Sequence, residues 1–148
     1  MEESKRQRLA HNIQACFRKS GWSHEELEPG VWHSAFAGED GREYHLYVFA
    51  AEDWVQFAVS PLLTASPQAD AGGGMYAALL RLNQDLRLAR LALDADGDIN
   101  LLAELPADGV TAAPFGQVLE VLAFYTGELG PQLRRFLADP QVPFPAYE

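Results

Sequence analysis

One cysteine, Cys16, is all the thiol chemistry in this 148-residue chain. A single thiol forms neither an intramolecular disulfide nor a cysteine metal cluster, so nothing of that kind staples the fold. Cys16 also sits within an apolar stripe, with no charged activator at helical spacing, which argues against a nucleophile. Long apolar runs are missing too, since none approaches the ~18 residues that a membrane span requires. The opening residues, MEESKRQRLAHNIQ, hold no hydrophobic signal core, and their early acids disfavour a transit peptide. The expectation is a cytoplasmic protein with no membrane partner. Basic residues are scarce, 11 Lys and Arg against 21 Asp and Glu, for a net charge of −10. Neutralisation of phosphates by Lys and Arg dominates nucleic-acid affinity, so no nucleic-acid partner is expected.

The charge is unevenly spread. The first twenty residues hold five basic and two acidic side chains, a net +3, and the remainder six basic and nineteen acidic, a net −13. An acidic body is compatible with a basic or disordered protein partner, although acidity also serves solubility.

Catalytic signatures are equally sparse. The histidines, at 11, 24, 33 and 45, show neither HxxH nor HExxH spacing. His33 and His45 read as cross-strand neighbours, a weak metal pair at most, and more simply as half-buried sheet histidines. No G-x-S-x-G elbow is present, and the paired acids Glu25 and Glu26 lie in a loop without an apolar pocket to raise a pKa. Asp94, Asp96 and Asp98 imitate the opening of a calcium loop, but counted from Asp94 the glycine stands at position 4 and Leu105 at position 12. An EF-hand needs glycine at 6 and a bidentate glutamate at 12, so the ion reading fails. The run Gly72-Gly73-Gly74 lacks the Lys-Ser/Thr of a phosphate loop. The sequence therefore predicts no catalytic residue, no metal and no cofactor.

What is present is a soluble α+β pattern. At this length one domain should bury roughly 68–70% of its unfolded surface. We place it at residues 1–138, with a proline-rich tail over 139–148. Residues 3–19 read as a helix with Leu9, Ile13, Cys16 and Phe17 on one narrow stripe, ended by Gly21. An acidic connector, 22–29, leads to three strands at 31–36, 42–50 and 54–59, linked by short turns and hence antiparallel neighbours. Both faces of these strands carry apolar or aromatic residues, so something is expected to cover the second face. A low-propensity linker spans 61–74.

Residues 75–86 form a second helix whose stripe of Met75, Leu79, Leu82 and Leu86, widened by Tyr76 and Leu80, exceeds one sheet contact. A hairpin follows. A two-residue Asp96-Gly97 turn would mix polar and apolar partners on one face. A three-residue Ala95-Asp96-Gly97 loop pairs Leu93 with Ile99, Leu91 with Leu101 and Ala89 with Ala103, a wholly apolar face that burial should select. Thr111 can cap a last helix with Phe115, Val118, Leu122 and Tyr125 on its stripe, which Gly127 and Gly130-Pro131 should kink or split. The tail is expected to be extended, either disordered or docked through Phe144.

The order helix, three-stranded meander, helix, hairpin, helix resembles the type III secretion chaperones and their YbjN-like relatives. It is carried by Leu80-x-x-Asn83, the strand at 88–93, Asp94-x-Asp96-Gly97, the strand ending Glu104-Leu105-Pro106, and the aromatic-studded last helix with Phe115 and Tyr125. The resemblance covers roughly residues 3–138. It implies a secretion-chaperone-like α+β fold and a non-catalytic homodimer that binds segments of a client protein; the YbjN-like relatives imply a regulatory role. Carried onto this chain, it implies a dimer interface of Tyr76, Leu80, Leu88, Arg90 and Leu102. It also implies partner-binding patches built from Leu9, Ile13, Phe17, Trp32, Tyr47 and Trp54. The competing reading is a small-ligand site or enzyme on the aromatic sheet face around Trp32, Tyr47 and Trp54. A concave, polar-lined pocket there would favour it.

Overall fold

In a computed structural model, the chain is described over residues 3–64, 74–139, 141, 142 and 145. The first helix, α1 (Glu3–Ser20), follows from the Leu9–Ile13–Cys16–Phe17 stripe, all four of which are buried. Ser20 closes it by donating its hydroxyl to the Phe17 carbonyl at 2.6 Å, and Gly21 then takes φ +79°, open to glycine at no steric cost. Four strands follow: β1 (Glu25–Glu28), β2 (Val31–Ala37), β3 (Glu43–Ala51) and β4 (Trp54–Leu63). After α2 (Gly74–Asp85) come β5 (Ala89–Leu93) and β6 (Ile99–Pro106), a short 3₁₀ turn, and α3 (Ala112–Ala138). The strands make one antiparallel sheet in the order β1-β2-β3-β4-β6-β5.

The three helices lie on one face of that sheet. α3 packs on β4 and β6 and against α1, and α2 packs on the edge strand β5. Between them Trp32, Leu46, Val48, Val55, Phe57, Val59, Ile99, Leu101 and Ala103 are fully enclosed. Phe115 ties the layers together, meeting Phe17 of α1 edge-on at 4.9 Å and Phe57 of β4 at 5.2 Å. Offset and edge-on ring pairs add about 0.5–1.5 kcal/mol each beyond the area they bury.

The hairpin adopts the register that burial selects: Leu93 faces Ile99, Leu91 faces Leu101 and Ala89 faces Ala103, with Gly97 left-handed at φ +87°. Elsewhere the structure departs from expectation. Glu25–Glu28, read as connector, forms the edge strand β1 against β2. All four of its residues are exposed, so no apolar alternation marks it, and acidic residues rank low in strand propensity. β4 runs on through Pro61 to Leu63, where the register shifts between Val59 and Leu63, and an irregularity of that kind accommodates a proline in a strand. α3 is one helix of 27 residues, unbroken by Gly127 or by Gly130-Pro131. The hydrogen bond lost at Pro131 is outweighed by the burial of Leu129, Leu133 and Phe136 around it. Thr111 holds the N-cap position without a side-chain bond, although its carbonyl accepts from the Phe115 N–H at 3.0 Å. In the tail, Val142 packs against the core and Pro145 is buried, while Phe144 lies outside the described residues, as does most of the linker at 65–73.

Candidate functional site

Leu9, Ile13, Phe17 and Trp32 are core residues, which corrects the expectation that they present a partner surface. The α1 stripe is spent on the sheet and on α3. Trp32 pairs with Val48 on the helix-covered face, and its indole N–H donates to the Gln14 side-chain carbonyl of α1 at 3.1 Å. Trp32 therefore stands on the opposite face from Tyr47 and Trp54, and the expected aromatic trio is not one site. The sequence left this open because both faces of β2 and β3 are apolar or aromatic.

The helix-free face has its own order. One row crosses the whole sheet through successive partners Glu25, His33, Tyr47, Ala58, Leu102 and Arg90. It brings Tyr47, Leu102 and Arg90, widely separated in sequence, onto a common surface. Phe49 lies beside Tyr47 with ring centroids 6.4 Å apart, and His33 lies on its other side at 5.3 Å. Trp54, 52% exposed, stands nearer the end of the same face. Arg90 reaches diagonally to Glu104 at 2.7 Å, leaving that edge of the face charge-balanced.

Around the edge strand β5 a second surface forms. The Asn83 side chain acts as a substitute strand: its amide donates to the Leu91 carbonyl at 3.0 Å and its oxygen accepts the Leu91 N–H at 2.7 Å. This pins α2 to β5 and satisfies backbone groups that an edge strand otherwise leaves unpaired. The same pinning turns the other side of α2 outward, so Leu80 is 72% exposed and Tyr76 is exposed beside it. Leu88, at the corner before β5, is exposed and holds φ +67°, a left-handed conformation that costs a leucine about 1–2 kcal/mol. The Arg87 N–H donates to the Tyr125 hydroxyl at 3.0 Å, fastening this corner to α3, and Phe124 next to Tyr125 is 48% exposed. Tyr76, Leu80 and Leu88 are thus all at the surface. Arg90 and Leu102 lie on the helix-free face, so the five expected interface residues wrap the edge strand. Phe124 went unnoticed in the sequence, where its signal was a large aromatic off the helical stripe that Leu122 and Tyr125 continue.

Ionisable groups converge mainly at one place. Arg134 of α3 donates from Nη2 to the Asp40 carboxylate and to the Tyr44 hydroxyl, each at 2.6 Å, and Tyr44 donates to Asp40 at 3.1 Å. Desolvation pushes the Asp40 carboxyl up, but the Arg42 N–H, the Tyr44 hydroxyl and the Arg134 charge outweigh it and hold the group below its ordinary value. Burial raises the Tyr44 hydroxyl despite Arg134. The cluster clamps the β2–β3 turn to α3, and all its members are engaged with one another. Burial likewise raises the Cys16 thiol, the direction opposite to that of a reactive thiolate. Among the described residues no group of three or more His, Cys, Asp or Glu side chains is placed to hold a metal ion, and no helix is long and apolar enough to cross a membrane. A cleft of about 520 Å³ lies between the start of α1 and the β1–β2 turn, lined by Glu3, Arg6, Gln7, Glu26 and Glu52 over a floor of Ala10, Gly30 and Ala50. Tyr47 is not among its lining residues.

Known proteins share this architecture. In a structural comparison the chain is similar to the Yersinia pestis type III secretion chaperone SycH, solved in complex with a stable fragment of YscM2. Sequence identity is 19% and the TM-score 0.52, over 80% of this chain and 96% of that one, so the likeness is one of fold. No curated protein matches this chain in sequence. The YbjN family, described as "Putative bacterial sensory transduction regulator", matches residues 10–133. That span takes in the sheet, the whole of α2, α1 from Ala10 onward and α3 as far as Leu133: this chain belongs to the YbjN family.

Proposed function

We propose that this protein is a non-catalytic protein-binding module of the cytoplasm, chaperone-like or regulatory, that works as a homodimer. The observation that carries the reading is the outward side of α2. A helix whose inner side is fully committed to the core exposes Leu80 at 72%, with Tyr76, the strained Leu88 and Phe124 also at the surface. Apolar groups clustered on a monomer's surface, one of them held at a conformational cost, mark a contact site. The regulator description of the family and the YscM2 fragment bound by the similar chaperone support protein binding over catalysis.

In this reading α2 and the β5 corner meet a second copy. Tyr47, Phe49 and Trp54 on the helix-free face receive a segment of a client protein. Light scattering on the purified chain should return twice its 16.3 kDa. A mass of one chain at every concentration overturns the dimer. For the client, affinity capture from native extract is compared between the wild type and a Tyr47→Ser/Trp54→Ser variant. A protein held by both with equal strength removes the client role from that face.

A further inference from the structure

Two rows of strand partners cross the helix-free face through its aromatic rings. The row through Tyr47 begins at Glu25, and the row through Phe49 runs Glu28, Val31, Phe49, Gln56, Glu104. Partners in an antiparallel sheet share a face, so both rows start from a carboxylate on the same rim. Glu25 is level with Tyr47 and Glu28 with Phe49, each two strands away, about 10 Å between backbones. Glu43 belongs to the same side, because β3 turns Glu43, His45, Tyr47 and Phe49 away from the buried Tyr44, Leu46 and Val48. It stands four residues, about 13 Å, along the strand from Tyr47.

The charge on this face is one-sided. At the far end of the two rows Arg90 and Glu104 hold each other at 2.7 Å and cancel. Among the described residues no Lys or Arg pairs with Glu25, Glu28 or Glu43. Glu25 and Glu43 approach only histidines, at 3.5 Å, and their side chains are 67% and 69% exposed. Acidic residues on an edge strand also discourage unwanted strand pairing, but that role reaches Glu25 and Glu28 alone. Glu43 opens β3, which has a strand on each side. Inside this acidic rim the Tyr47 and Phe49 rings lie near parallel, 22° between planes, with Trp54 exposed beyond them. Aromatic faces attract cations, and the stems of Lys and Arg cover apolar rings while their charged heads stay in water.

We infer that the helix-free face selects a basic extended segment, whose Lys and Arg side chains lie over Tyr47 and Phe49 and reach Glu25, Glu28 and Glu43. This rests on the reading that the face receives a client, and adds which chemistry the client carries. Charge complementarity makes the choice: an acidic segment meets three carboxylates and no free cation in either row, and a second copy of this face brings the same carboxylates against its own. Exposed ion pairs at a rim act on encounter rate and salt dependence more than on tightness.

The test uses the full chain and three labelled peptides of equal length that alternate Val with Arg, with Glu or with Ser, read by fluorescence anisotropy. The Arg peptide should bind best, and more weakly at about 300 mM than at about 50 mM NaCl. Glu25→Gln/Glu28→Gln should weaken it about five- to tenfold. Glu3→Gln/Glu120→Gln, which removes the same charge from exposed positions on α1 and α3, should change it far less. Equal weakening by the two double variants overturns the inference, because general acidity then suffices. A Ser peptide bound as tightly as the Arg peptide, and released by Tyr47→Ser/Trp54→Ser, also overturns it while leaving the face a client site. Arg-peptide binding that ignores Tyr47→Ser/Trp54→Ser, or no binding by any peptide, overturns the basic segment and the client face together.

Discussion

At Asp94 one side chain serves three donors. Its Oδ1 accepts the Asp96 and Asp98 N–H groups at 2.9 and 3.0 Å, and its Oδ2 accepts the Asn100 amide at 3.2 Å. The Asp98 bond is the largest influence; with help from Asn100, Asp96 and Gly97 it outweighs desolvation and lowers the carboxyl below its ordinary value. A group lowered on folding stabilises fully above its unfolded value of about 3.9, and that contribution is lost as pH falls through the lower folded value. Urea unfolding at pH 6 should therefore show Asp94→Asn less stable than the wild type, with the gap closing as the solution is acidified below pH 4. Asn83→Ala strips both backbone partners from the buried Leu91 and should cost about 1–3 kcal/mol in the same assay. Thr126 is the contrary case. Its hydroxyl is buried on α3 without a hydrogen-bond partner among the described residues, so Thr126→Val should leave the melting temperature unchanged or raise it.

Among the elements, α3 shows how packing overrides local grammar. Gly127, Gly130 and Pro131 within five residues argue for a break, yet the helix continues because its inner side is held along its length. The two glycines are not equivalent. A Cβ at Gly127 meets nothing within 4 Å, whereas one at Gly130 comes within 3.1 Å of the Tyr44 hydroxyl and 3.3 Å of Arg134. Gly127→Ala should accordingly gain close to the ~0.8–1.0 kcal/mol that separates the two residues in a helix interior. Gly130→Ala should gain less or lose, because Tyr44 and Arg134 are tied to Asp40 and cannot retreat freely. Calorimetry on the two single variants checks the order. The β5–β6 hairpin is the opposite lesson: turn and apolar pairing agree, so local and tertiary preferences coincide.

For the whole molecule, the two surfaces should be separable. Leu80→Glu places a charge on a side chain already in solvent, so the chain should keep its fold while the proposed dimer falls to a single chain by light scattering. Tyr47→Ser/Trp54→Ser should leave the proposed dimer intact and weaken capture of the proposed client. A Leu80→Glu variant that melts well below the wild type would show instead that Leu80 belongs to the monomer's own packing. In the proposed reading the net charge of −10 acts at this scale too, keeping an apolar-faced protein dispersed until a fitted surface is met.

The sequence by itself determined the parts governed by period and turn chemistry. These are the α1 stripe, the meander, the hairpin register with Gly97 left-handed, and the width of the α2 stripe. Each follows from a short-range rule in which neighbours along the chain decide burial. Tertiary structure alone decided which side of β2 and β3 the helices cover, and hence that Trp32 is core while Tyr47 is surface. It also recruited the acidic 25–28 stretch into an edge strand and kept α3 whole across Pro131. In all three cases the local signal was ambiguous or adverse, and contacts distant in sequence supplied the free energy that settled it.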